Sequence, residues 1–319
     1  MLNKHFLAVL SLAVVGGCSH VPDTEVADFS QSASNMLEHV SGVVNEYNDA
    51  KLHRDLTLLA AKYSGSSNAN LKSSEFEPLA EFQLPDSSPI LGISNALREY
   101  ANALHRLAIA SNEADVSLAA FNFYQAAESS SWNGLKPSEQ EAGLIQSAMA
   151  TLASGYSEEK KQRVLKSIIV SSDPAISELS DSLIELIKKN QIGTAIYLSR
   201  SYVLSEEIQD FNRRADIRQL PLNKSREEIE RLYEQWETMA ATPLLVEQTL
   251  QAIDTFKSTH NELSLSLVNE TFSKATLIQT QARMKEVSAR FNTTKNLLAS
   301  CKTGVEVQDS KLVCKGEAK

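Results

Sequence analysis

Residues 24–50, TEVADFSQSASNMLEHVSGVVNEYNDA, decide the fold. Val26, Phe29, Ala33, Met36, Val40, Val43, Tyr47 and Ala50 are separated by alternating steps of three and four residues. An α-helix turns once every 3.6 residues, so this spacing stacks the side chains along one stripe, as in a helix buried against another helix. A half-buried strand would need a period of two, which the segment lacks. The spacing predicts a helix from Thr24 to Tyr63, with Glu25 and Asp28 suited to the positive end of its dipole.

The same reading extends along the chain. Residues 64–89 are crowded with Ser and Asn and contain Pro78, Pro85 and Pro89, the composition of a long loop or crossover. The three-four spacing resumes at Ile93, Leu97, Tyr100, Leu104 and Leu107. Ser111 or Asn112 is suited to cap a helix through Ala127, which Ser129-Ser130-Ser131 and Asn133-Gly134 would end. Pro137 fits the first turn of another helix running to Ala153, Gly155 stops it, and Ser157 caps the next. Asp173-Pro174 reads as cap and first turn of a longer helix carrying Ile176, Leu179, Leu183 and Leu186. That helix is expected to continue past Gly193 through Ile196, Tyr202 and Val203 toward Phe211. Pro221 and Pro243 are expected to interrupt, with Ser225–Ala241 helical between them and Leu232 and Trp236 on its buried side. A final helix is expected over Leu244–Ser300, with a kink near His260-Asn261 where Leu263-Ser-Leu-Ser-Leu267 briefly alternates, and a stop at Gly304. Strand patterning is nearly absent before residue 300, and no fixed-period repeat indicates a solenoid. The expected fold is therefore all-α: an elongated antiparallel bundle of long helices, one domain over residues 24–319.

The first residues carry a different signal. Lys4 and the free amine give a positive start, and Phe6–Val15 is an uncharged, mostly apolar run. It is too short to span a bilayer, which takes roughly 20 residues, but suits the core of a signal peptide. The run ends in Val15-Gly16-Gly17-Cys18. This resembles the lipobox of bacterial lipoproteins, commonly Leu-Ala/Ser-Gly/Ala-Cys, with Val15 in place of Leu and Gly16 in place of Ala or Ser. The resemblance implies that residues 1–17 are a cleaved signal peptide, that the Cys18 thiol carries a diacylglycerol, and that residues 18–23 form a short lipidated tether. Ser19 stands where an Asp would favour retention at the inner membrane, so the resemblance implies an outer-membrane anchor. The alternative is an ordinary secretory signal with an incidental cysteine. For the rest of the chain no family resemblance is evident.

Cleavage removes Lys4 and no acid, leaving 30 basic against 40 acidic residues. Such a surface is repelled by nucleic acid and by anionic lipid, so no nucleic-acid partner is expected and membrane association rests on the lipid. Cys301 and Cys314 sit in a compartment where disulfides persist. Closing their loop of about 14 residues stabilises by roughly 3 kcal/mol in the chain-entropy picture. The expected tail, residues 301–319, is a bridge stapling a tiny hairpin, Val305–Val307 against Lys311–Val313, to the end of the last helix. Zinc is the competing use of two cysteines, but neither has a CxxC partner or a nearby His.

Chemistry-bearing patterns are few. None of His39, His53, His105 and His260 has Glu three residues before it, as an inward-facing di-iron pair requires, and HExxH is absent. Ser157-Glu-Glu-Lys160 and Lys302-Thr303-Gly304 match SxxK and KTG, two marks of penicillin-binding enzymes. The Ser-x-Asn between them is missing, KTG would need a sheet to carry it, and Ser157 is explained by capping. Arg213, Arg214 and Arg218 are the densest basic cluster, flanked by Asp210 and Asp216 as in a salt-bridged helix end. Phe121, Phe123, Tyr124 and Trp132 are the candidate ligand- or partner-facing surface, weighed against plain core packing. No catalytic, cofactor-binding or metal-binding residues are assigned and no cofactor is expected. The expected role is a non-enzymatic, lipid-anchored interaction or scaffold protein with an envelope protein partner. A ligand-binding or inhibitory lipoprotein is the alternative, and an unrecognised envelope hydrolase a more remote one.

Overall fold

A computed structural model describes residues 23–64, 71–81, 84–85, 87–112, 115, 157–216, 221–269, 274–300, 305–308 and 311–314. Helix α1 spans Asp23–Tyr63, α2 Glu77–Glu81, α3 Pro89–Ile109, α4 Glu158–Lys189, α5 Ile192–Asp216, α6 Leu222–Val268 and α7 Lys274–Ser300. Strands β1 (Val305–Gln308) and β2 (Lys311–Cys314) pair antiparallel, with Val305 opposite Cys314. The protein is an elongated all-α bundle. At 1.5 Å per residue α1 is about 60 Å long and α6 about 70 Å.

The stripe of α1 forms the spine. Val26, Phe29, Ala33, Met36, Val40, Val43 and Ala50 are buried, and Tyr47 packs half-buried beside them. Contacts between residues far apart in sequence give the helix directions. Along α1 and α3, Ala27 meets His105, Leu37 meets Ser94, and Asn48 meets Leu84 just before α3 begins. One number rises as the other falls, so the pair is antiparallel. Along α1 and α7 both rise together, Glu25 with Gln281 and His39 with Ser288, so α7 lies parallel to α1. Helix α6 runs antiparallel to α4 and α5 in turn: His260 meets Asp173, Lys257 meets Asp181, Arg231 meets Glu207, and Glu228 meets Arg214. Helices α4 and α5 are thus successive lengths of one rod, laid along the single helix α6.

Several expected breaks fall elsewhere. Asp173-Pro174 does not begin a helix, because α4 runs through it from Glu158, capped by Ser157, whose Oγ accepts from the Lys160 amide. The Asp173 carboxylate is engaged by His260 and Asn261 instead of capping. Pro174 removes one backbone donor, and the Ser171 and Ser172 hydroxyls donate to the carbonyls of Ser167 and Ile168 one turn upstream. The rod, expected to continue unbroken past Gly193, instead breaks at Asn190-Gln191, where Gln191 takes a positive φ of 49°. Pro243 likewise sits inside α6, with Thr242 Oγ1 donating to the Thr238 carbonyl. The helix is continuous through His260-Asn261 and forms no strand there: Leu263 and Leu267 are buried on it, and α6 ends at Val268. The 64–89 stretch is not wholly loop, since Ser73–Glu75 forms a 3-10 turn and α2 follows. Trp236, expected on the buried side of its helix, is 49% exposed while Leu232 is buried. Asn112 accepts from the Asp115 amide, a capping contact for a segment whose continuation lies outside the described residues. No disulfide is present among the described residues, and Cys301 lies outside them.

Candidate functional site

Three polar constructions lie along the bundle, and an apolar face lies at one end of it. The first is at the start of α1. Lys161, 4% exposed, sends its Nζ to Asp23 Oδ2 at 2.6 Å and Glu158 Oε1 at 3.0 Å. It also donates to the carbonyls of Ala108 and Ala110 at the end of α3. Burial works against the ammonium, but the hydrogen bonds to the two carboxylates outweigh it and raise the pKa. Burial, with the neighbouring Glu158, pushes Asp23 above the ordinary carboxylate range. One cation thereby joins three helix ends, including the negative end of the α3 dipole.

The second is a chain of side chains through the core. Asp173 Oδ1 lies 2.8 Å from His260 Nδ1, His260 Nε2 lies 2.7 Å from the Tyr100 hydroxyl, and Ser172 Oγ lies 2.9 Å from that oxygen. Asn261 donates to the other Asp173 oxygen. His260 is fully buried between Phe29 and Phe256 on one side and the edge-on Tyr100 ring on the other. Burial opposes the Asp173 carboxylate, yet the His260 and Asn261 hydrogen bonds hold its pKa below the usual range, and burial raises that of Tyr100. A carboxylate, imidazole and hydroxyl in line resemble the order of an acyl-transfer triad. Here they join α3, α4 and α6 within the core, so the arrangement fixes register among three helices.

The third is a groove of about 380 Å³ between α1 and α7, lined by Asp28, Gln31 and Asn35 on one side and Lys285, Ser288 and Asn292 on the other. Behind it His39 stacks on Phe291 at 3.8 Å, with Ser288 Oγ 3.3 Å from Nε2. Burial, aided by Lys295, lowers the His39 pKa to about 4, so the imidazole is neutral and its buried Nδ1 has no hydrogen-bond partner. A neutral His beside a groove-lining Ser is half of a nucleophilic pair. No acid orients Nδ1, and Ser288 sits mid-helix, where its backbone donor is committed to the helix ladder. Asp28 and Lys285, of opposite charge, face the same groove from its two walls.

The apolar face lies on the first half of α6. Leu222, Ile229, Tyr233 and Trp236 are 88%, 52%, 42% and 49% exposed. With Arg226 and Ala240, also exposed, they occupy positions 222, 226, 229, 233, 236 and 240, alternating steps of four and three. This is a second seam beside the one that α6 buries against α5, where Leu232 and Met239 meet Leu204 and Phe211. It lies at the end of the bundle remote from Asp23. Tyr233 and Trp236 stack at 5.8 Å, which presents a rigid aromatic pair to solvent.

Of the residues singled out from sequence, Phe121, Phe123, Tyr124 and Trp132 lie outside the described residues, as do Cys18 and Cys301. Arg213 and Arg214 are paired with Asp210, and Arg214 also with Glu228, as a salt-bridged helix end requires. His105 Nδ1 donates to the Ala27 carbonyl, across the α1–α3 interface. Asp173, His260 and Tyr100 were not associated by sequence, and no local signal links positions 87 and 160 residues apart. The exposed seam was not singled out from the sequence, which puts Leu232 and Trp236 together on one buried side although they lie on adjacent stripes of α6. Among the described residues no group of His, Cys, Asp and Glu is placed to hold a metal, and no helix is long and apolar enough to cross a membrane. No family model, curated protein or solved structure matches the chain.

Proposed function

We propose that the chain is a lipid-tethered, non-enzymatic interaction protein of the bacterial envelope, acylated at Cys18 and anchored in the outer membrane, that binds an envelope protein partner. The observation carrying this reading is the exposed four-three seam of α6, at the end of the bundle away from Asp23. Large apolar side chains in a continuous row on a water-exposed helix favour a helical partner. Helix α1 starts five residues after Cys18 and is clamped there by Lys161, a short leash suited to a rod standing off a bilayer. Cys301 and Cys314 close a bridge in this reading.

A photo-reactive residue at Trp236, activated in intact cells, is expected to yield a reproducible protein adduct that the same residue at Glu247 does not. Equal labelling at both positions, or none, removes the interaction reading. Mass spectrometry of the N-terminal peptide is expected to find acylated Cys18, and an unmodified sulfur or an uncleaved leader removes the anchor. The second reading, a ligand-binding or inhibitory lipoprotein, draws on the groove with Asp28 and Lys285 on opposite walls. Asp28→Asn and Lys285→Gln are expected to weaken capture if it is right; capture indifferent to both leaves it unsupported.

A further inference from the structure

We infer that the exposed seam of α6 pairs with the same seam of a second copy, antiparallel, about a two-fold axis level with Arg231. This rests on the reading of the seam as an interaction surface and names its partner. Six seam positions span 18 residues, about 27 Å of helix. When two such helices run antiparallel, each residue on one side of the axis meets the residue equally far on the other side. Leu222, the most exposed apolar side chain of the row, then meets Ala240, its smallest residue, and Ile229 meets Tyr233. Arg226, the one charged member, meets the face of Trp236, and a guanidinium over an indole is the favoured cation–π pairing. A shift of one layer one way sets Arg226 against Ala240 and leaves Leu222 outside the row; a shift the other way sets Arg226 against Tyr233, a poorer cation–π face than the indole, and leaves Ala240 outside it. Glu230, ion-paired with Arg226 within the chain, flanks the row and leaves the guanidinium compensated when water is excluded.

The ends of the seam agree with this register. Pro221 precedes it, and beyond Ala240 the same face continues through Pro243 to the exposed acids Glu247 and Asp254, with Leu250 between them half-buried against the core. Large exposed apolar side chains resume on α6 only at Leu265 and Val268, apart from the row that is symmetric about Arg231. Two-fold closure uses one patch on both copies and leaves nothing open for further growth. Six side chains from one helix make a small contact beside the roughly 800 Å² per partner of a standard stable interface, so association is expected to be weak and concentration-dependent. Antiparallel pairing directs the two Asp23 ends away from each other. Copies side by side on one surface present the seams parallel and do not form it; copies meeting end to end do.

Sedimentation equilibrium of the purified chain is expected to show a reversible monomer–dimer equilibrium. Trp236→Glu or Ile229→Glu is expected to raise its dissociation constant at least tenfold while circular dichroism stays unchanged, because both residues are exposed. Register is tested by oxidation: a chain carrying both Ile229→Cys and Tyr233→Cys is expected to give a covalent dimer that neither single variant gives. A chain that remains monomeric at a few hundred micromolar overturns the inference, as does a dimer indifferent to both Glu variants. Efficient cross-linking through Ile229→Cys alone, which signals a parallel pair, overturns it too. The envelope-partner reading is judged separately, by whether the adduct formed at Trp236 in cells contains a different protein.

Discussion

The end of the bundle that holds Asp23 and the end that holds Leu222 are built on different principles. Around Asp23 five helices share one core, with Phe29, Phe256, Leu97, Leu104, Leu165 and Ile169 all buried to 1% exposure or less. Inside it lie interlinked polar groups, the Lys161 junction and the Asp173–His260–Tyr100 chain. At the remote end α5 and the first half of α6 share a small core of Leu204, Leu232 and Met239 with Phe211, held from outside by Arg214–Glu228 and Arg231–Glu207. Buried apolar area dominates folding free energy and exposed ion pairs contribute little. The first end therefore holds most of the stability, and the second is where apolar surface remains for something else to cover.

The largest test of that contrast compares truncations. Phe256→Ala removes a fully buried ring stacked on Phe29 and is expected to cost about 3–5 kcal/mol by denaturant unfolding, against about 2 kcal/mol for Leu232→Ala in the small core. Equal costs would break the comparison. Lys161→Ala is expected to cost about 3 kcal/mol, because it leaves two carboxylates and two carbonyls at one buried point without their cation. Thermal unfolding of this variant unchanged from the parent would show that the junction does not hold the helix ends.

A pH titration sharpens the same contrast. His39 titrates at about 4 in the folded protein against 6.5 when free, so protonation favours the unfolded chain. Its contribution is intact above pH 6.5 and is lost as the pH falls toward 4, a change of about 2–3 kcal/mol. Asp23 acts in the opposite sense, because its raised pKa means that the folded state holds its proton more tightly and stability falls as that proton leaves. The measurement is therefore the stability difference between the parent and His39→Leu, expected to move in favour of the parent as the pH rises from 4 to 6.5 and to level off above that. A difference independent of pH would assign His39 a packing role only. The smallest effect belongs to the remote end. A double-mutant cycle on Arg231 and Glu207, whose side chains are 48% and 29% exposed, is expected to return less than about 1 kcal/mol and to shrink in salt.

Helix type and helix order were legible in the sequence because apolar spacing is a local property: every member of the α1 stripe lies where the spacing places it. Prolines were read too strictly. Pro174 and Pro243 sit inside α4 and α6, and neighbouring Ser and Thr hydroxyls donate to carbonyls one turn upstream in both places. Gln191 was invisible for the opposite reason, since a positive φ at a non-glycine residue is imposed by packing around it. Trp236 marks the limit of the candidate site. Spacing identifies two seams on α6, but which seam faces α5 depends on contacts with Leu204 and Phe211, which no window of neighbouring residues contains.

The Lys161 junction also determines how the bundle bears load. On the proposed anchor, drag on the folded body is transmitted through residues 18–22 to Asp23, so tension enters at the first turn of α1 and runs along its axis. Force in that direction slides α1 lengthwise past α3 and α7, and rows of interlocked side chains resist sliding together, not one after another. Peeling would instead begin by lifting the first turn sideways, and there the ammonium grips α1, α3 and α4 at once. The protein is thus braced against detachment at the spot where a tethered rod would otherwise unzip.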